Sequence, residues 1–215
     1  MSRHTFPSLT DFTQRLAVRL QAPLPREAAY QRVKVKRPDG GTISFKEKEN
    51  KKEGAVLIAF YEENGQLYFP LIQRPTYDGV HSGQIALPGG KKEDSDRDLI
   101  QTAIRESYEE VGIDPAKVEV IGTLSSFYVG ASNFLVLPVL AHLQEKPLWK
   151  PEPSEVDEII ESPLEAFLRP DAIKEKTLNI RGFSMMAPYF DVKGKVIWGA
   201  TAAMLSELMM IIEEI

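Results

Sequence analysis

Apolar residues recur at helical spacing early in the chain, at Leu9, Phe12, Leu16 and Leu20, which predicts an amphipathic helix over residues 8–21. The segment Ala22-Pro23-Leu24-Pro25 ends it. A charged run over residues 46–53 reads as a solvated loop. Two runs of β-formers follow, residues 55–61 and 67–73, separated by Glu63-Asn64-Gly65-Gln66. Asn-Gly between such runs is a hairpin signal. A Gly-rich loop leads to a short strand at 82–87 and then to Pro88-Gly89-Gly90.

A helix is expected over residues 97–111, with Ser95 and Asp98 at capping-box spacing and Gly112 as its C-terminal cap. On that helix Ile100, Ile104, Tyr108 and Val111 share one face, and Glu106, Glu109 and Glu110 share the opposite one. Further strands are predicted at 118–124, 134–143, 156–160 and 188–192, with a hairpin turn at Lys193-Gly194. A short helix at 163–168 and a closing helix from Thr201 complete the pattern. The elements lack a regular βαβ rhythm, so the expected class is α/β of the α+β type, a mixed sheet sandwiched between helices. Residues 1–50 are read as an N-terminal helix-and-loop extension and residues 51–215 as the main domain.

Composition narrows the function. The chain has 215 residues, 43% of them hydrophobic, which is enough for a buried core. Its net charge of -5 argues against duplex DNA or an anionic membrane as the main partner. The absence of cysteine excludes disulfides, thiolate metal sites and cysteine nucleophiles. No apolar leader or run of membrane-spanning length is present, so a cytoplasmic location is expected. The stripe Met204, Leu205, Leu208, Met209 and Ile212 has the spacing of a core face or of a homodimer interface.

The candidate chemistry lies in the glutamate helix. Each close carboxylate pair costs about 3 kcal/mol at ~5 Å and an effective dielectric of ~20. Solvent tolerates this on an open helix, whereas an enclosed site needs cations. Hard oxygens on a rigid helix suit Mg2+ or Mn2+, which bind phosphate oxygens as well. Gly89-Gly90 lets backbone approach a ligand, and Arg105 is placed to orient a carboxylate or clamp a phosphate.

This stretch resembles the signature of the Nudix hydrolases, G-x5-E-x7-R-E-U-x-E-E-x-G-U with U apolar. Gly90, Arg105, Glu106, Glu109, Glu110, Gly112 and Ile113 match it. Asp96 stands where glutamate is expected, one extra residue precedes Arg105, and Ser107 replaces an apolar residue. The longer spacing resembles the branch that hydrolyses coenzyme A. A second signature of that branch is matched by Leu71, Arg74, Gly83, Pro88, Gly89 and Gly90, with departures at Pro75, Gly79 and Leu87. Residues 155–164 and 197–202 are similar to it as well.

The resemblance implies a Nudix fold and water attack on a diphosphate, with a small-molecule nucleoside diphosphate derivative as partner. It implies Glu106, Glu109, Glu110 and the Gly89 carbonyl as ligands of Mg2+ or Mn2+. Glu106 is alternatively the base, held by Arg105. Glu155 is a candidate further base or ligand, against the alternative of a surface glutamate. Arg74, Lys91, Lys92 and Gly90 are candidate phosphate contacts, His81 a candidate substrate contact, and Trp198 and Tyr189 candidate stacking partners. Coenzyme A is the leading substrate; ADP-ribose, NADH or nucleoside triphosphates, and a non-catalytic nucleotide-binding module, are the alternatives.

Overall fold

In the computed structural model, which describes residues 6, 8–42, 45–78, 81–180 and 182–215, Ser8 is extended and its hydroxyl accepts from the Asp11 N–H at 3.2 Å. That cap starts helix α1 (Leu9–Arg19), which buries Phe12 and Leu16. A short helix α2 (Glu27–Gln31) follows. Strand β1 (Lys52–Glu63) turns into β2 (Gln66–Gln73) through Asn64 and Gly65, both at positive φ, as a two-residue hairpin loop requires. Next come β3 (Ile85–Ala86), β4 (Gly89–Lys91) and helix α3 (Leu99–Val111). Strands β5 (Glu119–Thr123), β6 (Phe127–Val129), β7 (Phe134–His142) and β8 (Glu158–Pro163) lead to the short helix α4 (Glu165–Leu168). The chain ends with β9 (Ile173–Ile180), β10 (Phe183–Val192), β11 (Lys195–Trp198) and helix α5 (Gly199–Ile212).

The larger sheet runs β3-β2-β1-β7-β5, with β4 also on β1, β6 on β7 and β8 on β2. Strand β1 pairs in parallel with β7, and β9–β11 form a separate antiparallel sheet. The architecture is the expected mixed sheet between helices. Residues of β1 alternate: Ala55, Leu57, Ala59 and Tyr61 join the core that α3 shares through Ala103 and Val111, whereas Ile58 and Phe60 join the core of α1 and α5. Both faces are covered, which explains why β1 reads as an unbroken apolar run. Val33 and the apolar face of α1 belong to that second core. Lys36 exchanges two backbone hydrogen bonds with Met186 at 2.9 Å each, adding the N-terminal segment to the β10 edge.

Several expectations change. The strand at 82–87 shrinks to β3, and the glycines after it form β4, hidden because glycine is depleted in strands. Strands β6 and β9 were not legible, β8 begins two residues later than its apolar run, and 188–192 is only the end of β10. The Ser95–Asp98 capping box is replaced by Asp98 itself, whose carboxylate accepts from the Gln101 N–H at 2.8 Å. The buried face of α3 is Ala103, Ser107, Glu110 and Val111, while Tyr108 is 56% exposed. Ser107 fits an apolar position because its hydroxyl donates to the Ala103 carbonyl at 2.8 Å. The stripe on α5 is buried within its own chain, so it is core and not a dimer face.

Candidate active site

Helix α3 stops at Gly112, which takes the left-handed conformation at φ 79°. The loop after β7 then returns to this helix end. Lys150 N–H donates to the Val111 carbonyl at 3.0 Å, and Glu152 N–H to the Glu110 carbonyl at 2.9 Å. Two carbonyls left open by the helix terminus are thereby satisfied, and Glu155 is brought toward Glu106 and Glu110.

Strand β4 lies between β1 and α3 only because it carries glycine. A Cβ at Gly89, itself at φ 147°, would stand 2.3 Å from the Ala55 carbonyl oxygen, and one at Gly90 would stand 2.5 Å from the Glu106 carboxylate. The close approach lets the Gly89 N–H donate to Glu110 Oε2 at 2.8 Å. Gly90→Ala should therefore displace the Glu106 carboxylate and lower stability by about 1–3 kcal/mol, the usual cost of over-packing. The check is a denaturant melt of the variant beside the wild type.

Arg105 organises the acidic side chains. Its Nε and Nη2 donate to the two oxygens of Asp96 at 2.9 Å each. Nη2 also reaches Glu106 Oε1 at 3.0 Å and the Lys91 carbonyl at 3.1 Å, and Nη1 reaches Glu109 Oε2 at 2.9 Å. Asp96, Glu106, Glu109 and the Lys91 carbonyl so take up most of its donors, an arrangement suited to orienting carboxylates. Asp96, enclosed and also bonded by Thr102 Oγ1 and the Glu93 N–H, is held well below the usual carboxylate range, chiefly by Arg105. Sequence reasoning missed this anchoring role. The available signal was an acid nine residues before the arginine, with a helix start between them.

Glu110 is 1% exposed, and burial pushes its carboxyl up to about 8. The Gly89 N–H and Arg74 oppose that rise, and the charges of Glu155 and Glu106 add to it. Glu106 is also raised, again mainly by burial, against the pull of Arg105. Arg74 Nη1 stands 3.8 Å from Glu110 Oε1, and its buried Nε has no hydrogen-bond acceptor among the described residues. Glu106, Glu110, Glu155, Arg74, Gly90 and Lys91 line one cleft of about 1640 Å3. It joins a polar, acid-rich patch to apolar walls from Phe127, Met185 and Met204.

The family model of the NUDIX domain matches residues 51–187. The chain belongs to the Nudix family. It is 37% identical over 161 residues to the Arabidopsis thaliana protein named Nudix hydrolase 15, mitochondrial, covering 72% of this chain and 56% of that protein. It is 33% identical over 139 residues to the mouse peroxisomal coenzyme A diphosphatase NUDT7, covering 65% and 58%. A Salmonella newport protein named as an uncharacterized Nudix hydrolase, NudL, is 34% identical, covering 75% and 83%. The chain thus spans little more than half the length of the first two. Among solved structures, a MutT/nudix family protein from Enterococcus faecalis superposes with a TM-score of 0.51 at 17% identity, over 94% of this chain and 73% of that one. That likeness supports the Nudix fold. Among the described residues, no helix is long and apolar enough to cross a membrane.

Within this Nudix frame the expected site residues divide. Glu106, Glu110, Glu155, Arg74, Gly89, Gly90 and Lys91 come together in the cleft, and His81 and Trp198 line it too. His81 Nδ1 is 2.9 Å from Gln84 Oε1. Glu109 stands apart, its side chain 52% exposed and paired with Arg105. Lys92 and Tyr189 do not line the cleft; Tyr189 lies under the Lys176 ammonium at 5.9 Å. Gly79, where the second signature has arginine, lies outside the described residues. Among the described residues, no group of three or more acidic or histidine side chains is arranged as a ready metal cage.

Proposed function

We propose that the chain is a divalent-metal-dependent diphosphatase acting on a nucleoside diphosphate derivative, with coenzyme A or an acyl-coenzyme A as substrate. The observation that carries this reading is the pair Glu106 and Glu110. Both are enclosed, both are raised by burial, and both face a cleft large enough for a nucleotide with a long second arm. The name of the mouse relative supports the coenzyme A assignment.

Hard oxygen donors crowded at one end of a cleft fit Mg2+ or Mn2+. Glu106 and Glu110, with the Gly89 carbonyl, would hold the ion, and Glu109 would join by releasing Arg105. Once bound, the ion acidifies water and offsets charge on the diphosphate. Arg105 keeps Glu106 facing Gly90, and the Gly89 N–H fixes the rotamer of Glu110. Arg74, with a spare buried donor, binds a diphosphate oxygen. Lys91 adds charge at the cleft, and Glu155 would accept a proton from the attacking water. Water adds to one phosphorus, the bridging P–O bond breaks, and coenzyme A gives 3′,5′-ADP and phosphopantetheine.

A substrate panel tests the assignment. Coenzyme A, an acyl-coenzyme A, ADP-ribose, NADH and a nucleoside triphosphate are incubated with Mg2+ and the products separated by chromatography. The expected result is 3′,5′-ADP from the coenzyme A compounds, formed faster than any product from the others. Equal turnover of all would contradict the substrate, and turnover of none would contradict the activity.

A further inference from the structure

Helix α5 is enclosed and mostly apolar, yet Thr201, Ser206 and Glu207 are buried polar residues on it. Each meets a backbone group from a different segment. The Thr201 hydroxyl donates to the Ile85 carbonyl in β3 at 3.2 Å, and the Ser206 hydroxyl to the Ala29 carbonyl in α2 at 2.8 Å. Glu207 Oε1 accepts from the Arg26 N–H at 2.8 Å, and Oε2 from the Ser125 N–H at 3.0 Å. The Tyr30 hydroxyl lies 3.5 Å from Oε2. Glu207 is 0% exposed and forms no ion pair among the described residues.

An apolar side chain would fill this space without the penalty of dehydrating a carboxylate. Glu207 instead supplies acceptors to two N–H groups outside regular elements. Arg26 stands at φ 48°, an unfavourable conformation for a non-glycine residue, and Ser125 lies in the connection between β5 and β6. The segments held in this way carry Tyr30, Ile85 and Phe127, all lining the cleft that contains Glu106 and Glu110. The rings of Tyr30 and Phe127 meet edge to face at 4.9 Å. Residues 26–30 and 199–212 both lie outside the stretch matched by the family model.

We propose that Glu207, helped by Ser206 and Thr201, is a positioning residue that fixes this wall of the cleft, and so governs substrate binding and not the chemical step. The kinetic consequence rests on the diphosphatase reading; the structural one does not.

Glu207→Gln puts an amide NH2 where one of two N–H donors needs an acceptor. With coenzyme A and Mg2+, the expected result is a KM raised about tenfold with kcat within about threefold, the scale of one buried hydrogen bond. Hydrogen exchange should quicken over residues 26–33 and 124–129 and stay unchanged over 99–111. A fall in kcat at constant KM, or unaltered exchange in those segments, would overturn the proposal. Should that variant not fold, Ser206→Ala takes its place, with a raised KM and faster exchange over 26–33; no change in either would be equally contrary. If the wild type hydrolyses no diphosphate, the activity reading fails by itself, and the exchange pattern alone decides the role of Glu207.

Discussion

Glu110→Gln is expected to abolish turnover while making the protein more stable at pH 8 in the presence of a chelator. Glutamine keeps an oxygen for the Gly89 N–H but removes the charge that a metal ion needs. The stability gain follows from the titration. The carboxyl is raised from 4.5 to about 8 in the fold, so the folded state holds a proton that the unfolded chain has lost across that interval. The contribution of Glu110 to wild-type stability is therefore complete below pH 4.5 and declines as pH rises to about 8, and Glu106 contributes with the same sign. Glutamine resembles the protonated form and escapes the decline. The difference at pH 8 should be roughly 2–4 kcal/mol. For a chain of this size that is a melting temperature higher by roughly 5–10 °C. Mg2+ should raise the melting temperature of the wild type and leave that of the variant unchanged. Retained turnover, or a stability difference independent of pH, would contradict this view of Glu110.

The second large effect concerns Arg105. Removing it by Arg105→Ala leaves Asp96 as an uncompensated charge in an enclosed position and frees Glu106 and Glu109. Loss of one member of such a buried pair costs about 3–5 kcal/mol. Hydrolysis should fall by about 100-fold or more as Glu106 loses its orientation. Adding Asp96→Asn removes the stranded charge while keeping an acceptor for Thr102 and the Glu93 N–H. The double variant should recover most of the lost stability and none of the activity. Denaturant melts and steady-state rates on the two variants check this; recovery of both together would show that Arg105 acts only through stability.

How far this could be read in advance depended on where the information lay. Elements with strong local codes were legible: Asn64-Gly65 fixed a hairpin, Gly112 ended α3, and the stripe on α1 marked its buried side. Strand β4 was hidden, because its glycines are placed by the approach of Ala55 and Glu106 from distant parts of the chain. Strand β9 carries exposed charges on residues 174–176 and gains its shape from pairing with β10. In the site, the spacing of Arg105, Glu106 and Glu110 was readable because one helix sets it. The same helical wheel misjudged the buried face, since Glu110 sits at its edge, satisfied by Gly89 N–H, and Tyr108 faces solvent. The anchoring of Arg105 by Asp96 and the tethers from Glu207 join parts of the chain that only the fold brings together.

Titration of Mn2+ into the wild type and Glu110→Gln, followed by electron paramagnetic resonance, tests the metal-holding role of the helix glutamates most directly. A saturable signal change in the wild type, absent from a variant with an unaltered circular dichroism spectrum, is the expected result. Equal binding of Mn2+ by both proteins would contradict it.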